Sequence, residues 1–172
     1  LNTILEAAIN SRNYVSFDYK NAQGKKSRHY IEPLAIHYKW YAWYLFSYSE
    51  NQNKYKTFKI ARINNLNIEK EKSMTKHEDI KILIKKSEQE YYDTCISIEV
   101  EFSNNEYELI EEYFPDCPIK KISESVYKVT IRVPAKERLW KALLLSFGNR
   151  VKILSPDDYK IELIETAQKF LS

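Results

Sequence analysis

The sequence predicts an α+β chain in two parts. A short N-terminal helix leads into a small antiparallel β-barrel, and a ferredoxin-like α/β domain (βαββαβ plus a helix) follows. Three observations carry this reading. From residue 14 to 69, short runs rich in aromatic and β-branched residues recur at the spacing of an all-β meander, separated by turn residues. From residue 95 to 171, strand-like and helix-like periods interleave instead. Between them, residues 72–94 hold five Lys and five Asp/Glu and read as a charged connector. The predicted boundaries are 1–71 for the barrel, 72–94 for the connector and 95–172 for the second domain.

Taken in order, Leu1, Ile4, Leu5, Ala8 and Ile9 recur at helical spacing, with Asn2 or Thr3 as candidate caps. Residues 14–20 alternate as a strand. Asn21-Ala-Gln-Gly24 is a hairpin turn in which Gly24 supplies the positive φ. Residues 26–32 pair back, and Pro33 is expected to end that strand. Residues 34–38, 41–48, 54–61 and 63–69 add further strands, enough for a barrel that closes its edges on itself. In the connector, Ile80, Leu83 and Ile84 fall at helical spacing. Residues 95–102 alternate as a strand and 104–114 form an acidic helix stopped by Pro115. Residues 119–123 and 126–133 are strands. Pro134 is expected to open the next helix, with Leu139, Trp140, Leu143 and Leu144 as its apolar stripe and Gly148 as its C-cap. Residues 150–154 are a strand, and Ser155-Pro156-Asp157-Asp158 starts a last helix with a hydroxyl cap and acids at the positive dipole end.

Composition narrows the function. With 44% hydrophobic and 30% charged residues and no long apolar run, the chain can bury a core and offers no membrane-spanning helix. Residues 1–71 hold eleven Lys/Arg against six Asp/Glu, a net +5; residues 95–172 hold eleven against thirteen, a net −2. The N-terminal part is therefore the anion-binding candidate. Cys95 and Cys117 belong to no ligand-spaced set and read as reduced thiols of a cytoplasmic protein. The two glycines are both used structurally, which excludes a Gly-rich phosphate loop. With no nucleophile–base signature and no metal-ligand spacing, the expectation is no enzyme, no metal and no cofactor. His29 and His77 receive no role. The start at Leu1, already in a helical pattern, suggests part of a longer protein.

The candidate site centres on Tyr41-Ala-Trp-Tyr-Leu-Phe-Ser-Tyr48 and Lys54-Tyr-Lys-Thr-Phe-Lys-Ile-Ala-Arg-Ile63. Lys54, Lys56 and Arg62 share a strand parity, with Phe58 and Ile60 between them. Rings and cations on one small sheet suit a ligand that carries both phosphate and base. Arg62 leads, because a cation inside an apolar pattern is costly unless it is paired or faces a ligand; a salt bridge to Glu32 is the competing reading. Lys56 follows as an anion contact or a solvated strand residue. Tyr44 serves as a stacking or hydroxyl donor, or else as core packing. Trp43 suits core filling as much as contact. Arg28 and His37 are candidates whose orientation the sequence leaves open.

At Trp43-Tyr44-Leu45 the chain resembles the WYL domain, a family whose Sm/SH3-like barrels act as ligand-sensing modules in bacterial transcription regulators. The residues that carry the resemblance extend beyond the tripeptide. A helix and a strand ending in Tyr occupy residues 4–19, and an Arg28-containing strand leads to Pro33. The last strand reads Lys56-x-Phe58-x-Ile60-x-Arg62-Ile63, with Lys in place of the family's first Arg and Ile in place of its Leu. Lys keeps the charge but loses the bidentate fork. Ser146-Phe147-Gly148, the strand Val151–Leu154 and Pro156 resemble the family's C-terminal extension, WCX. The resemblance implies a dimeric, cytoplasmic regulator whose winged helix-turn-helix lies outside this chain and is its only contact with promoter DNA. It further implies a nucleotide-like anion or a single-stranded DNA or RNA on the barrel. Two other readings stand beside it: a direct oligonucleotide-binding module, and a dimerisation scaffold with a vestigial pocket. The Leu139–Leu145 stripe is either that dimer surface or domain core.

Overall fold

The computed structural model describes residues 1–39, 41–93, 95–115, 117–134 and 138–171. It divides into two compact units, Leu1–Ser87 and Glu88–Ser172.

The first unit starts with α1 (Asn2–Ser11), which turns Leu5 and Ala8 into the core; both are fully buried. Leu1 is its N-cap and no side chain caps it, so neither Asn2 nor Thr3 has the expected role. Five strands follow: β1 (Asn13–Lys20), β2 (Lys26–Lys39), β3 (Ala42–Ser49), β4 (Lys54–Lys59) and β5 (Ile63–Lys72). They form one antiparallel sheet in the order β4-β3-β2-β1-β5. The β1–β2 turn is as read: Gly24 has φ 83° and its N–H donates to Asn21 O at 3.0 Å. The Asn21 carboxamide oxygen also accepts from the N–H groups of Gln23 and Lys25.

Two sequence expectations are corrected. Pro33 does not end a strand but lies inside the 14-residue β2. Residues 26–31 pair with β1 and residues 32–39 with β3, with a register shift between Pro33 and Ala35. A register shift of this kind is one of the irregularities at which proline is found within sheets. In addition, β4 stops at Lys59 and Ile60–Arg62 form a 3₁₀ turn, so Arg62 is not a strand residue.

The sheet rolls up through side chains. Phe58 on β4 meets Phe17 and Tyr19 on β1 edge-on, with ring centroids 5.1 and 5.0 Å apart. The Lys59 N–H donates to the Tyr19 hydroxyl at 3.3 Å. No ladder joins β4 to β5 among the described residues, and the 3₁₀ turn spans that seam. Val15, Phe17, Ile31, Leu45, Phe58 and Ile63 share the core with α1.

Beyond β5 the expected connector contains a helix, α2 (Ile80–Asp93), started by the Asp79 carboxylate, which accepts from the Lys81 and Ile82 N–H groups.

The second unit runs β6 (Ile96–Ser103), α3 (Tyr107–Tyr113), β7 (Ile119–Lys121), β8 (Val126–Val133), α4 (Arg138–Ser146), β9 (Val151–Ser155) and α5 (Asp157–Leu171). The antiparallel order β7-β8-β6-β9 is that of the split βαβ unit. Ile98, Val100 and Phe102 alternate into its core from β6, and Val129, Ile131 and Val133 from β8. The helices cover this face with Ile110, Phe114, Trp140, Leu144, Tyr159 and Leu163. Trp140 and Leu144 of the α4 stripe are thus core, whereas Leu145 is 36% exposed. The expectation that Pro134 opens α4 involves residues 135–137, which lie outside the described residues. Gly148 takes φ 58° two residues past the end of α4.

Candidate functional site

The alternation of β1 and β2 sorts the first unit's polar residues onto two surfaces. Odd-numbered Val15, Phe17 and Tyr19, with His29 and Ile31 opposite, face the interior of the rolled sheet. His29 is held among rings, with its centroid 4.6 Å from Phe58 and 5.5 Å from Phe17. Its Nε2 lies 2.8 Å from the Ser27 hydroxyl. Burial, and secondarily the positive charge of Lys56, push its pKa below the ordinary histidine value, which favours the neutral ring. The even-numbered residues face the other way, where Asp18 opposes Arg28 and Lys20 opposes Lys26.

At this end of the hairpin lies a cavity of about 740 Å³, walled by Asp18, Lys20, Lys26 and Arg28 of that second surface, by Tyr19 and Ser27 of the interior parity, and by Asn64 and Asn65. Asp18 organises the wall. It accepts from Arg28 Nη1 at 3.0 Å and from Asn65 Nδ2 at 2.8 Å. The Asn65 hydrogen bond, and after it the Arg28 one, lower its pKa and hold it ionised. Arg28 Nη2 also donates to Ser16 Oγ at 3.3 Å. The β1–β5 ladder slips between Ser16↔Asn67 and Asp18↔Asn64, and Asn65 at this bulge has φ 51°. Bulges re-aim side chains in this way, and Asn is among the residues that tolerate left-handed backbone.

The six residues singled out from the sequence do not assemble on one face. Arg28 lines the cavity. Arg62, half-buried at the end of the 3₁₀ turn, lies beside it: the Asn64 side-chain amide reaches back to the Arg62 carbonyl at 3.4 Å. Lys56 opposes Ser47 and shares the interior parity of Phe58. Tyr44 opposes Lys59, on the other parity, and stacks on His37 with centroids 5.8 Å apart. Trp43 is 47% exposed near the β2–β3 turn, edge-on to Tyr38 at 5.4 Å. The single basic and aromatic face expected from the sequence is therefore divided, because strand parity and the turn at Ile60 send its members to different surfaces. Lys20, Lys26, Asn64 and Asn65 were missed. They sit in what reads as turn and strand-edge sequence, and only the β1–β2–β5 pairing unites them.

A second polar centre lies deeper. Glu32 is 2% exposed and is paired with His77, whose Nε2 is 2.9 Å from its carboxylate. The other ring nitrogen of His77 is 3.0 Å from the Tyr55 hydroxyl. Arg12 approaches Glu32 at 3.6 Å and donates to Thr75 O at 2.6 Å. Glu32 thus pairs with His77 and Arg12, whereas Arg62 makes no ion pair among the described residues, against the competing expectation. The centre ties the segment between β5 and α2 to the sheet, next to a cavity of about 450 Å³.

The fold is thus a small rolled sheet that carries a cavity, joined in sequence to a ferredoxin-like unit. Residues 1–68 match the family model described as the WYL domain. No curated protein matches the chain. Among solved structures, a CRISPR Cas-related protein is similar at 20% identity and a TM-score of 0.57, over 98% of this chain and 50% of its own. Proteasome accessory factor B/C (PafBC) of Arthrobacter aurescens is similar at 15% identity and a TM-score of 0.44, over 95% of this chain and 26% of its own. The chain thus spans half or less of the length of these proteins. No described helix is long and apolar enough to cross a membrane.

Proposed function

We propose that this chain is the effector-sensing and oligomerisation region of a bacterial transcriptional regulator. It is a cytoplasmic, non-catalytic, homodimeric module that binds a nucleotide-like or single-stranded nucleic-acid ligand. Promoter DNA is read by a winged helix-turn-helix elsewhere in the same protein, and residues 95–172 act as the WCX extension. The match to the WYL domain supports the regulatory class. The observation that carries the ligand class is the convergence of Lys20, Lys26 and Arg28 on one ligand-sized cavity, whose Asn64 wall is tied to the Arg62 backbone carbonyl. Ligand bound there acts by preferring one arrangement of the regulator over another, which is a population shift set by differential affinity.

The test is fluorescence anisotropy with a labelled, mixed-sequence single-stranded DNA of about ten nucleotides, at low and moderate salt. The expected result is saturable, salt-sensitive binding that weakens about tenfold in Arg62→Ala, the loss of one charge-assisted contact. Absence of binding at tens of micromolar sinks the nucleic-acid part of the proposal. A direct oligonucleotide-binding module is the second reading, favoured by the exposed rings of Tyr38 and Trp43, which offer a stacking surface. A steep salt slope favours it, since a small anion gives a shallow one.

A further inference from the structure

We propose that the cavity at the β1–β2 hairpin binds a terminal phosphate, the dianionic monoester end of a nucleotide or short oligonucleotide, rather than an internal phosphodiester. This rests on the nucleotide-sensing reading of the barrel and narrows it to one chemical group.

The argument starts from a local electrostatic cost. Lys20 and Lys26 are directly opposite each other on the last rung of the β1–β2 ladder. Like charges in that position repel and destabilise a hairpin. Neither lysine makes an ion pair among the described residues; the carboxylate that acts on Lys26 is Asp18, whose direct partners are Arg28 and Asn65. One rung of the same face further in, Arg28 adds a third cation. The only carboxylate in the wall, Asp18, is occupied by Arg28 and Asn65, so its role is to aim those two side chains.

The neutral donors are placed by a second, independent device. The register slip on β5 and the left-handed backbone of Asn65 bring both Asn64 and Asn65 into the wall beside the cations. Point charges from lysine, a planar arginine fork and amide donors around one space form a set suited to phosphate oxygens. Charge density decides between the two kinds of phosphate. Three cations against one committed carboxylate leave a surplus that a dianion matches better than the single charge of an internal diester. A cavity of about 740 Å³ has room for the nucleoside that carries the group.

The experiment compares ten-nucleotide DNAs bearing a 5′-phosphate, a 3′-phosphate or hydroxyls at both ends, with AMP and adenosine as the small-molecule arm. Lys20→Ala/Lys26→Ala is the test variant. Lys70→Ala/Lys72→Ala removes the same charge from β5, away from this wall, and serves as the control. Circular dichroism checks that both are folded. The proposal expects a phosphorylated end to bind about tenfold more tightly than hydroxyl ends, one additional charge-assisted contact. That preference is lost in the test variant and kept in the control. AMP competes and adenosine does not if the free nucleotide is the source; only the end-phosphorylated DNA binds if an oligonucleotide end is. Equal affinity for all three DNAs overturns this proposal and leaves the nucleic-acid-sensing reading standing. Equal loss of preference in both variants also overturns it, since it reduces the effect to net charge. No binding of any DNA or of AMP overturns both.

Discussion

Single residues carry the two strongest predictions about stability. Glu32 is a carboxyl group in the interior of a small unit, and its partners His77 and Arg12 come from 45 residues downstream and 20 upstream. Removing one member of a buried pair strands the others. Glu32→Ala is expected to cost about 3 kcal/mol in urea unfolding, well above a surface truncation, and His77→Ala somewhat less because Arg12 remains. His29 predicts a pH effect whose sign follows from its environment. Its folded pKa lies below the ordinary value of 6.5, so the unfolded chain takes up the proton first. Stability is then full above about pH 7.5 and falls as pH drops through 6.5 towards the folded value. His29→Phe keeps the aromatic packing and should flatten that limb; an unchanged acid limb in urea titrations at pH 5 to 7.5 would show that another group causes it. Neither histidine was legible as functional. Judged by metal-ligand spacing they had no partners, because their partners, Phe58 and Glu32, are 29 and 45 positions away and the pairing of strands brings them near.

At the scale of elements, alternation and punctuation served well. Alternation marked β1 and β6, aromatic and β-branched content marked β3, and Gly24 marked its turn; burial of one sheet face shows most directly in the alternating burial of β6 and β8. The errors within the first sheet are of one kind. Pro33 and Ile60 sit where a strand changes partner or direction, and a local pattern does not encode which neighbour each half of a strand uses. The bulge at Asn65 was invisible for the same reason, and with it the part of the cavity wall that Asn64 and Asn65 form. The consequence is measurable at Gly24. Its φ of 83° is the cause of its identity, since an added Cβ would meet only the flexible Lys20 side chain at 3.8 Å. Gly24→Ala should therefore destabilise by about 1 kcal/mol through backbone strain alone, and Gly24→Asn by less, because Asn tolerates left-handed backbone. Equal losses for Ala and Asn in urea melts would point to crowding instead.

For the molecule as a whole, charge is divided between the two parts. The excess of +5 in residues 1–71 against −2 in residues 95–172 was plain in the sequence, but it did not say which cations converge. Convergence has a signature that total charge lacks. For single-stranded nucleic acid, each phosphate neutralised contributes about 0.7 to the negative slope of log K against log salt. If Lys20 and Lys26 both contact phosphate, Lys20→Ala/Lys26→Ala should reduce that slope by about 1.4. Lys120→Ala/Lys121→Ala removes the same charge from β7, in the second unit, and should leave slope and affinity nearly unchanged. The two variants have identical net charge, so a difference between them measures place rather than amount. Equal slopes would mean that the chain attracts nucleic acid only through its overall field, and the cavity would then have no privileged part in recognition.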